Sequence, residues 1–447
     1  MLAGGQLLSE GGQPPVSLLD KVTTKMRSNT GLSFFSEIAA ALALVALLMP
    51  VVASFAYGNL FHAFGNNPIL SFAVLGAFII HFSGRPSYSE CAITIILAAV
   101  LHTGYQQVAG ASAHYFGYWL INWGTFLGIS SLIVLAVRAM RTQGALRMSA
   151  LSDLMAGGAF FYYWVVLGVF LLLTIHWIPR RYDQLLYAFD TSLGFQPSFQ
   201  LGQLIHGRPV LTGLVCSLYY AVALPVGLLY ASQRRAGYNL GYKIFPLLIA
   251  ASAGGYVLYY VLPGAGPIYE FTTNFPFRIP PIAVRVGEFL PISERAVCNA
   301  MPSLHVGTAL MVCWNCNLWS KPSRVCAWLF LIVTAFATMA LGEHYLVDLV
   351  VACPLMLAFH ALAMTSLRIA DRERWLPITA GFGATFAWLA FLRNAVAVCI
   401  GRPVLSWILV LCTVAGSCWL ASRLSNKASS RLLHTPSQAV EPVMATL

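Results

Sequence analysis

The sequence predicts an all-α integral membrane protein with about twelve transmembrane helices. Three observations carry that reading. Only 9% of the 447 residues are charged and 58% are hydrophobic, whereas soluble domains carry about 25% charged residues. Apolar runs long enough to cross a bilayer as helices recur along the chain. The basic residues sort unequally between the loops, so the formal charge of +11 follows membrane topology and does not suggest nucleic acid.

Residues 1–35 are polar and Gly-rich and read as a flexible cytoplasmic tail. Apolar runs near 36–57, 66–84, 88–108, 116–137 and 154–176 form an N-terminal transmembrane region, 36–176, of about five helices. The first is too long and too late for a cleaved signal peptide and reads as a signal anchor. The next two are joined only by Arg85-Pro86-Ser87 and read either as separate spans or as a re-entrant hairpin. His81, Glu90 and His102 fall within or near these runs; intramembrane ionisable groups are functional candidates, and snorkelling near span ends is the cheaper account. Residues 138–152 read as a basic cytoplasmic loop.

From Arg180 to Asp190 apolar and charged residues alternate at helix-like spacing, which predicts a helix lying in the interface plane. Runs near 210–231, 244–262, 301–319, 325–341 and 345–366 follow, so that 177–366 forms a second region. Two C-terminal spans, 376–392 and 403–422, occupy residues 367–422, and 423–447 read as a polar, disordered cytoplasmic tail. With a cytoplasmic N-terminus, eighteen Lys and Arg residues fall on the cytoplasmic side and eight on the other, as the positive-inside rule expects. Six of those eight, Arg180, Arg181, Arg208, Arg278, Arg285 and Arg295, lie in two loops of the second region. The ten cysteines are scattered. Cys313 and Cys316 read as packing residues, with neither zinc spacing nor a disulfide framework around them.

Two polar stretches at the ends of apolar runs carry the chemistry. The first is Asn299-Ala300-Met301-Pro302-Ser303-Leu304-His305; the second, Glu343-His344-Tyr345-Leu346-Val347-Asp348, follows with its histidine 39 residues later. His344 and Asp348 are four apart and share one face if helical, where a carboxylate holds one imidazole nitrogen and leaves the other free to attack. Pro302 and Ser303 place His305 in the first turn of a helix, whose unpaired N–H groups suit a phosphate oxygen. Two histidines, a carboxylate and a helix N-terminus fit phosphoryl transfer, one histidine attacking and the other protonating the leaving oxygen. A helix entering at His305, turning at Ser320–Arg324 and returning brings both histidines to one membrane face, which the charge bias makes non-cytoplasmic.

Pro302-Ser303-x-His305 and His344-Tyr345-x-x-Asp348 resemble the second and third signature motifs of the type 2 phosphatidic acid phosphatase superfamily. The run Ala337 to Leu349 is most similar to its inositol phosphorylceramide synthase branch, and the resemblance covers residues from about 180 to 366. It implies a catalytic helix bundle of that kind, with a lipid phosphate headgroup moved from a donor to a lipid alcohol by metal-independent chemistry. His344 is then the nucleophile, Asp348 its orienting carboxylate and His305 the acid and base. Ser303 and Pro302 line the phosphate site, and no cofactor or metal is implied.

Two departures qualify the resemblance. The superfamily's first motif, rich in Lys and ending in Arg-Pro, is absent; Tyr259 to Tyr269 stands in its place, and Gly266-Pro267 resembles the degenerate form of the synthase branch. Tyr269 falls beside it, and Arg278, Arg295 and, most weakly, Arg285 offer the missing positive charge. Phosphatase members carry an arginine where this chain has Thr338, which favours transfer over simple hydrolysis. A lipid phosphate or polyprenyl diphosphate phosphatase is the alternative, and a multi-span transporter the alternative of another class. Against transport, the halves show no convincing internal repeat. Donor headgroup, acceptor lipid and homo-oligomerisation stay open.

Overall fold

The computed structural model describes residues 68–109, 116–235, 244–282 and 296–434. The chain divides into a unit of residues 1–58 and a unit of residues 59–447, and the description concerns the second. The predicted tail, the first apolar run, Arg285 and Arg295 lie outside the described residues.

Among the described residues the chain is helical, with no strand pairing into a sheet. The helices run α1 Pro68–Ser83, α2 Tyr88–Ala109, α3 Phe116–Arg141, α4 Gly144–Trp177, α5 Asp183–Ser192 and α6 Pro197–Ile205. They continue as α7 Pro209–Tyr220, α8 Ala223–Arg235, α9 Ile244–Val261 and α10 Pro267–Phe271. The last five are α11 Leu304–Asn315, α12 Lys321–Ala340, α13 Leu346–Ala363, α14 Arg372–Ala395 and α15 Pro403–His434. Among the described residues seven helical segments are long and apolar enough to cross a membrane, where the sequence reading has eleven runs from 66–84 onward.

The differences from the sequence reading have local causes. The run at 210–231 divides into α7 and α8 at Ala221-Val222. Pro225 has no N–H to continue the ladder, and the Ala221 carbonyl accepts from Leu224 instead. The loop at 138–152 shrinks to Thr142-Gln143, because α4 starts at Gly144. The polar tail is helical as far as His434: Leu424 and Ala428 are buried, and Arg431 pairs with Asp371 at 2.5 Å.

The helix predicted to lie in the interface plane is α5, and it is internal. Leu185, Leu186, Tyr187, Ala188 and Phe189 are all buried, together with Asp183 and Asp190. It packs against α10, α13, α14 and α15. At the centre stands α13, with 78% of its apolar window buried against 22% for α15. It touches α5, α9, α11, α14 and α15. Its tightest neighbour is α14, where a Cβ on Gly381 would meet the Pro354 carbonyl at 2.6 Å and the Ala358 nitrogen at 2.8 Å. Beyond this bundle, α1 packs on α3, α4 and α8.

The polar groups of the first helices hold structure. Glu90 accepts from the Ser87 N–H and pairs with Arg138, both at 2.7 Å. His81 Nε2 lies 3.4 Å from Thr94 Oγ1, and His102 stacks on Trp123. Cys313 and Cys316 are free thiols whose Sγ atoms donate to the carbonyls of Ala327 and Cys313.

Candidate active site

Three chain turns meet beside the N-terminus of α13: Pro263–Pro267 after α9, Asn299–Ser303 before α11, and Leu341–Tyr345 after α12. Two buried carboxylates of α5 organise them. Asp183 accepts from the N–H groups of Ala265 and Gly266, at 3.0 and 2.8 Å, and from Tyr345 Oη at 3.1 Å. Asp190 accepts from Leu346 at 2.7 Å and Val347 at 3.1 Å, which are the first two N–H groups of α13. The two acids are seven residues apart, two turns along one helix face. The Gly264 carbonyl accepts from Ala300, the Asp348 carbonyl from Ser303 and the Gly342 carbonyl from Ile268, so each turn is bonded to a neighbour.

Gly266 is the tightest point of this arrangement. Its φ is +104°, and a Cβ there would lie 2.4 Å from the Glu343 carbonyl oxygen. Pro267 opens α10, and Tyr269 Oη donates to Glu343 at 3.2 Å. Burial raises the Glu343 carboxyl above its ordinary range, opposed by His344 and by the Tyr269 bond. Gly266, Pro267 and Tyr269 therefore brace the residue ahead of His344.

The histidines lie close together. The ring centroids of His305 and His344 are 6.3 Å apart, and neither Nε2 has a hydrogen-bond partner. His344 is 1% exposed. Its Nδ1 lies 2.9 Å from the Ala300 carbonyl and 3.6 Å from Asp348 Oδ2. A carbonyl only accepts, so Nδ1 carries the proton and Nε2 keeps its lone pair. The partner that fixes this tautomer is thus a backbone carbonyl, with the carboxylate behind it. His344 also precedes the helix: Tyr345 is the N-cap of α13, and Asp348 accepts from the Tyr345 N–H at 2.7 Å as the third helical residue. The expected one-turn helical pair is instead a capping box.

Pro302 lies ahead of α11 rather than in its first turn, after a cis Met301-Pro302 bond. Ser303 is the N-cap, with Oγ 3.5 Å from the Val306 N–H. The α13 N-terminus is already occupied by Asp190, which leaves the first turn of α11 as the free positive helix end. Arg278 is exposed and its side chain makes no bond within the site. Arg181 is buried and pairs with Glu270 at 3.5 Å, while its Nε and Nη1 have no acceptor.

Several supporting groups were not singled out by sequence. Tyr219 stacks on His305 at 4.0 Å between centroids. Ser198 Oγ donates to the His344 carbonyl at 2.8 Å. Asp183 and Asp190 carry one available signal: two acids on the same face of an otherwise apolar helix.

Asp183 also yields a pH prediction. Burial, reinforced by Glu270, raises its carboxyl to about 7, against about 3.9 in an unfolded chain. Between those values the folded state holds a proton the unfolded state has lost, so stability falls as pH rises from 4 to 7. The Asp183→Asn variant should show a shallower fall of melting temperature across that interval; an unchanged slope would remove Asp183 as its source.

Comparison with known proteins places a family on this region. Residues 184–362 match the PAP2 superfamily model, which points to phosphatase or phosphotransferase chemistry on lipid phosphates. No curated protein matches the chain. No solved structure does either.

Proposed function

We propose that the protein is a membrane-embedded phosphotransferase that moves a phospho-headgroup from a lipid donor to a lipid alcohol through a phosphohistidine on His344. The observation that carries it is the pair of imidazoles 6.3 Å apart, each with an unpartnered Nε2. Imidazoles this close can flank one phosphoryl group, one attacking and the other protonating the leaving oxygen.

His344 Nε2 attacks phosphorus, forming an N–P bond as the P–O bond to the donor lipid breaks. His305 gives its proton to the departing oxygen, and the phosphate's negative charge favours that protonated form. The acceptor hydroxyl then attacks the phosphohistidine, passing its proton to His305 while the N–P lone pair returns to His344. The free first turn of α11 and Ser303 stabilise the phosphoryl oxygens. Arg278 and Arg295, which precede α11 in the chain, add charge as the substrate enters, and the site faces the non-cytoplasmic side. Transfer is favoured over hydrolysis because Thr338, buried and bonded to the Ala335 carbonyl, stands where a phosphatase carries arginine.

The test is a labelled phospholipid panel, including phosphatidylinositol, given to detergent-purified protein with and without a lipid alcohol. New lipid formed only with the alcohol supports transfer, and the donor used identifies the headgroup. Water-soluble headgroup phosphate, released with no effect of the alcohol, would make the enzyme a hydrolase.

A further inference from the structure

The two histidines are held by different means. His344 has the Ala300 carbonyl at 2.9 Å and Asp348 at 3.6 Å from its Nδ1. His305 forms no ion pair with a carboxylate among the described residues, and its buried Nε2 has no hydrogen-bond partner. Its close neighbour is a ring. Tyr219 lies nearly parallel to the imidazole, with centroids 4.0 Å apart and planes inclined by 20°. Tyr219 is buried in a small apolar cluster with Val215 of α7, Ile205 of α6, and Ala337 and Ala340 of α12. Tyr220 meets it edge-on at 5.0 Å. The other titratable groups beside His305 are His344 and the phenols of Tyr163 on α4 and of Tyr256 and Tyr259 on α9. The carboxylates of Glu343 and Asp348 act on His344. Arg324 of α12, Cys418 of α15 and His360 of α13 lie at the far end of α11, against Cys316, Trp314 and Asn315. Tyr230 of α8 faces Phe245.

We infer that Tyr219 is the positioning residue of the acid–base histidine: its ring face holds His305 in place and stabilises the protonated imidazole. The inference rests on the phosphohistidine reading above and adds what supports its second histidine. In that reading His305 is an imidazolium before the donor's lipid oxygen leaves, and again once it has taken the acceptor's proton. In-line displacement at His344 brings both oxygens to the His305 side, so one support serves both steps. A buried cation is costly when nothing compensates it. An aromatic face compensates it through the ring quadrupole. It does so without accepting the N–H, so Nε2 stays directed at oxygen. The proton passes from Nε2 to the leaving oxygen as the P–O bond breaks, and the ring returns to neutral. Stacking also limits rotation of the imidazole, which keeps that nitrogen within reach.

The experiment measures kcat/KM against pH for the full-length protein in mixed micelles, with the phospholipid of the panel above that gives His344-dependent turnover. The rate falls at high pH as the acid loses its proton, and a stabilised imidazolium delays that fall. Tyr219→Leu removes the ring face. Its fall should begin about half to one pH unit lower, with roughly three- to tenfold less turnover on that limb. Tyr219→Phe keeps the face and should keep the wild-type limb. Tyr219→Met fills the space without a ring and should shift the limb as Leu does, which covers a Leu variant that fails to fold. A limb unmoved in the variants without a ring, whether or not the rate drops at every pH, means that the ring only packs and overturns the inference. A limb moved as far by Tyr219→Phe overturns it too, because the hydroxyl is then the active group. Turnover retained by His344→Ala overturns the phosphohistidine reading instead, and the inference with it.

Discussion

The His344→Ala variant should lose at least four orders of magnitude in turnover while keeping its fold. The size follows from nucleophiles that act with a partner base: removing one member of such a unit costs about as much as removing all of it, around 10⁶-fold in a well-studied protease. His344 projects into the site from a turn, and that turn is held by backbone and by Asp183, Asp190 and Ser198 rather than by the imidazole alone. The melting temperature in detergent should therefore move little. The structure also separates His344 from Asp348. The Ala300 carbonyl at 2.9 Å already fixes the tautomer, and the carboxylate at 3.6 Å adds charge. Asp348→Asn should cost roughly 10- to 100-fold, well short of the ~10⁴ seen where the carboxylate alone orients the ring. Equal losses for the two variants would show that Asp348, not Ala300, sets the tautomer.

Gly266→Ala should lower turnover about 100-fold, although the residue touches neither histidine. A Cβ there falls 2.4 Å from the Glu343 carbonyl oxygen and 2.7 Å from its carbon, both backbone atoms that cannot rotate away. At φ +104° alanine is strained as well, by about 1–3 kcal/mol. The Glu343–His344 segment must shift, and displacement of a reacting group by about 1 Å costs on the order of 10² in rate. Gly383→Ala is the control: its Cβ would meet nothing within 4 Å, and its helix should gain slightly. Kinetics on the two variants, with melting curves, separate a local displacement from general destabilisation. Full activity in Gly266→Ala would mean that the turn yields freely.

The helices were legible because apolar length is written locally. Each predicted run from 66–84 onward lies on a helix or helix pair. What sequence could not place was burial. The segment Asp183-Gln184-Leu185-Leu186-Tyr187-Ala188-Phe189-Asp190 has the alternation of a surface helix. It is buried because its acids satisfy N–H groups that are distant in sequence, and no local pattern records those partners. The same holds for Tyr219 over His305 and for the Ala300 carbonyl on His344. Both motifs were visible, but the capping box at Tyr345 and Asp348 shows that spacing of four does not itself make a helix. The α15 extension was missed because its polar residues masked two buried positions, Leu424 and Ala428.

The two acids of α5 have a consequence for biosynthesis. Asp190 is made 156 residues before its partner Leu346, and Asp183 162 residues before Tyr345. At 5–20 residues per second the ribosome needs roughly 8–30 s to close that gap. Throughout it Asp190 lacks both its donors, and Asp183 has at most those of Ala265 and Gly266, made 82 and 83 residues after it, while an apolar setting penalises unpaired charge. The helix must wait, hydrated, until α13 emerges. A nascent chain stalled before residue 346 would therefore hold most of its helices and lack a settled interior, a form that membrane quality-control proteases are equipped to remove.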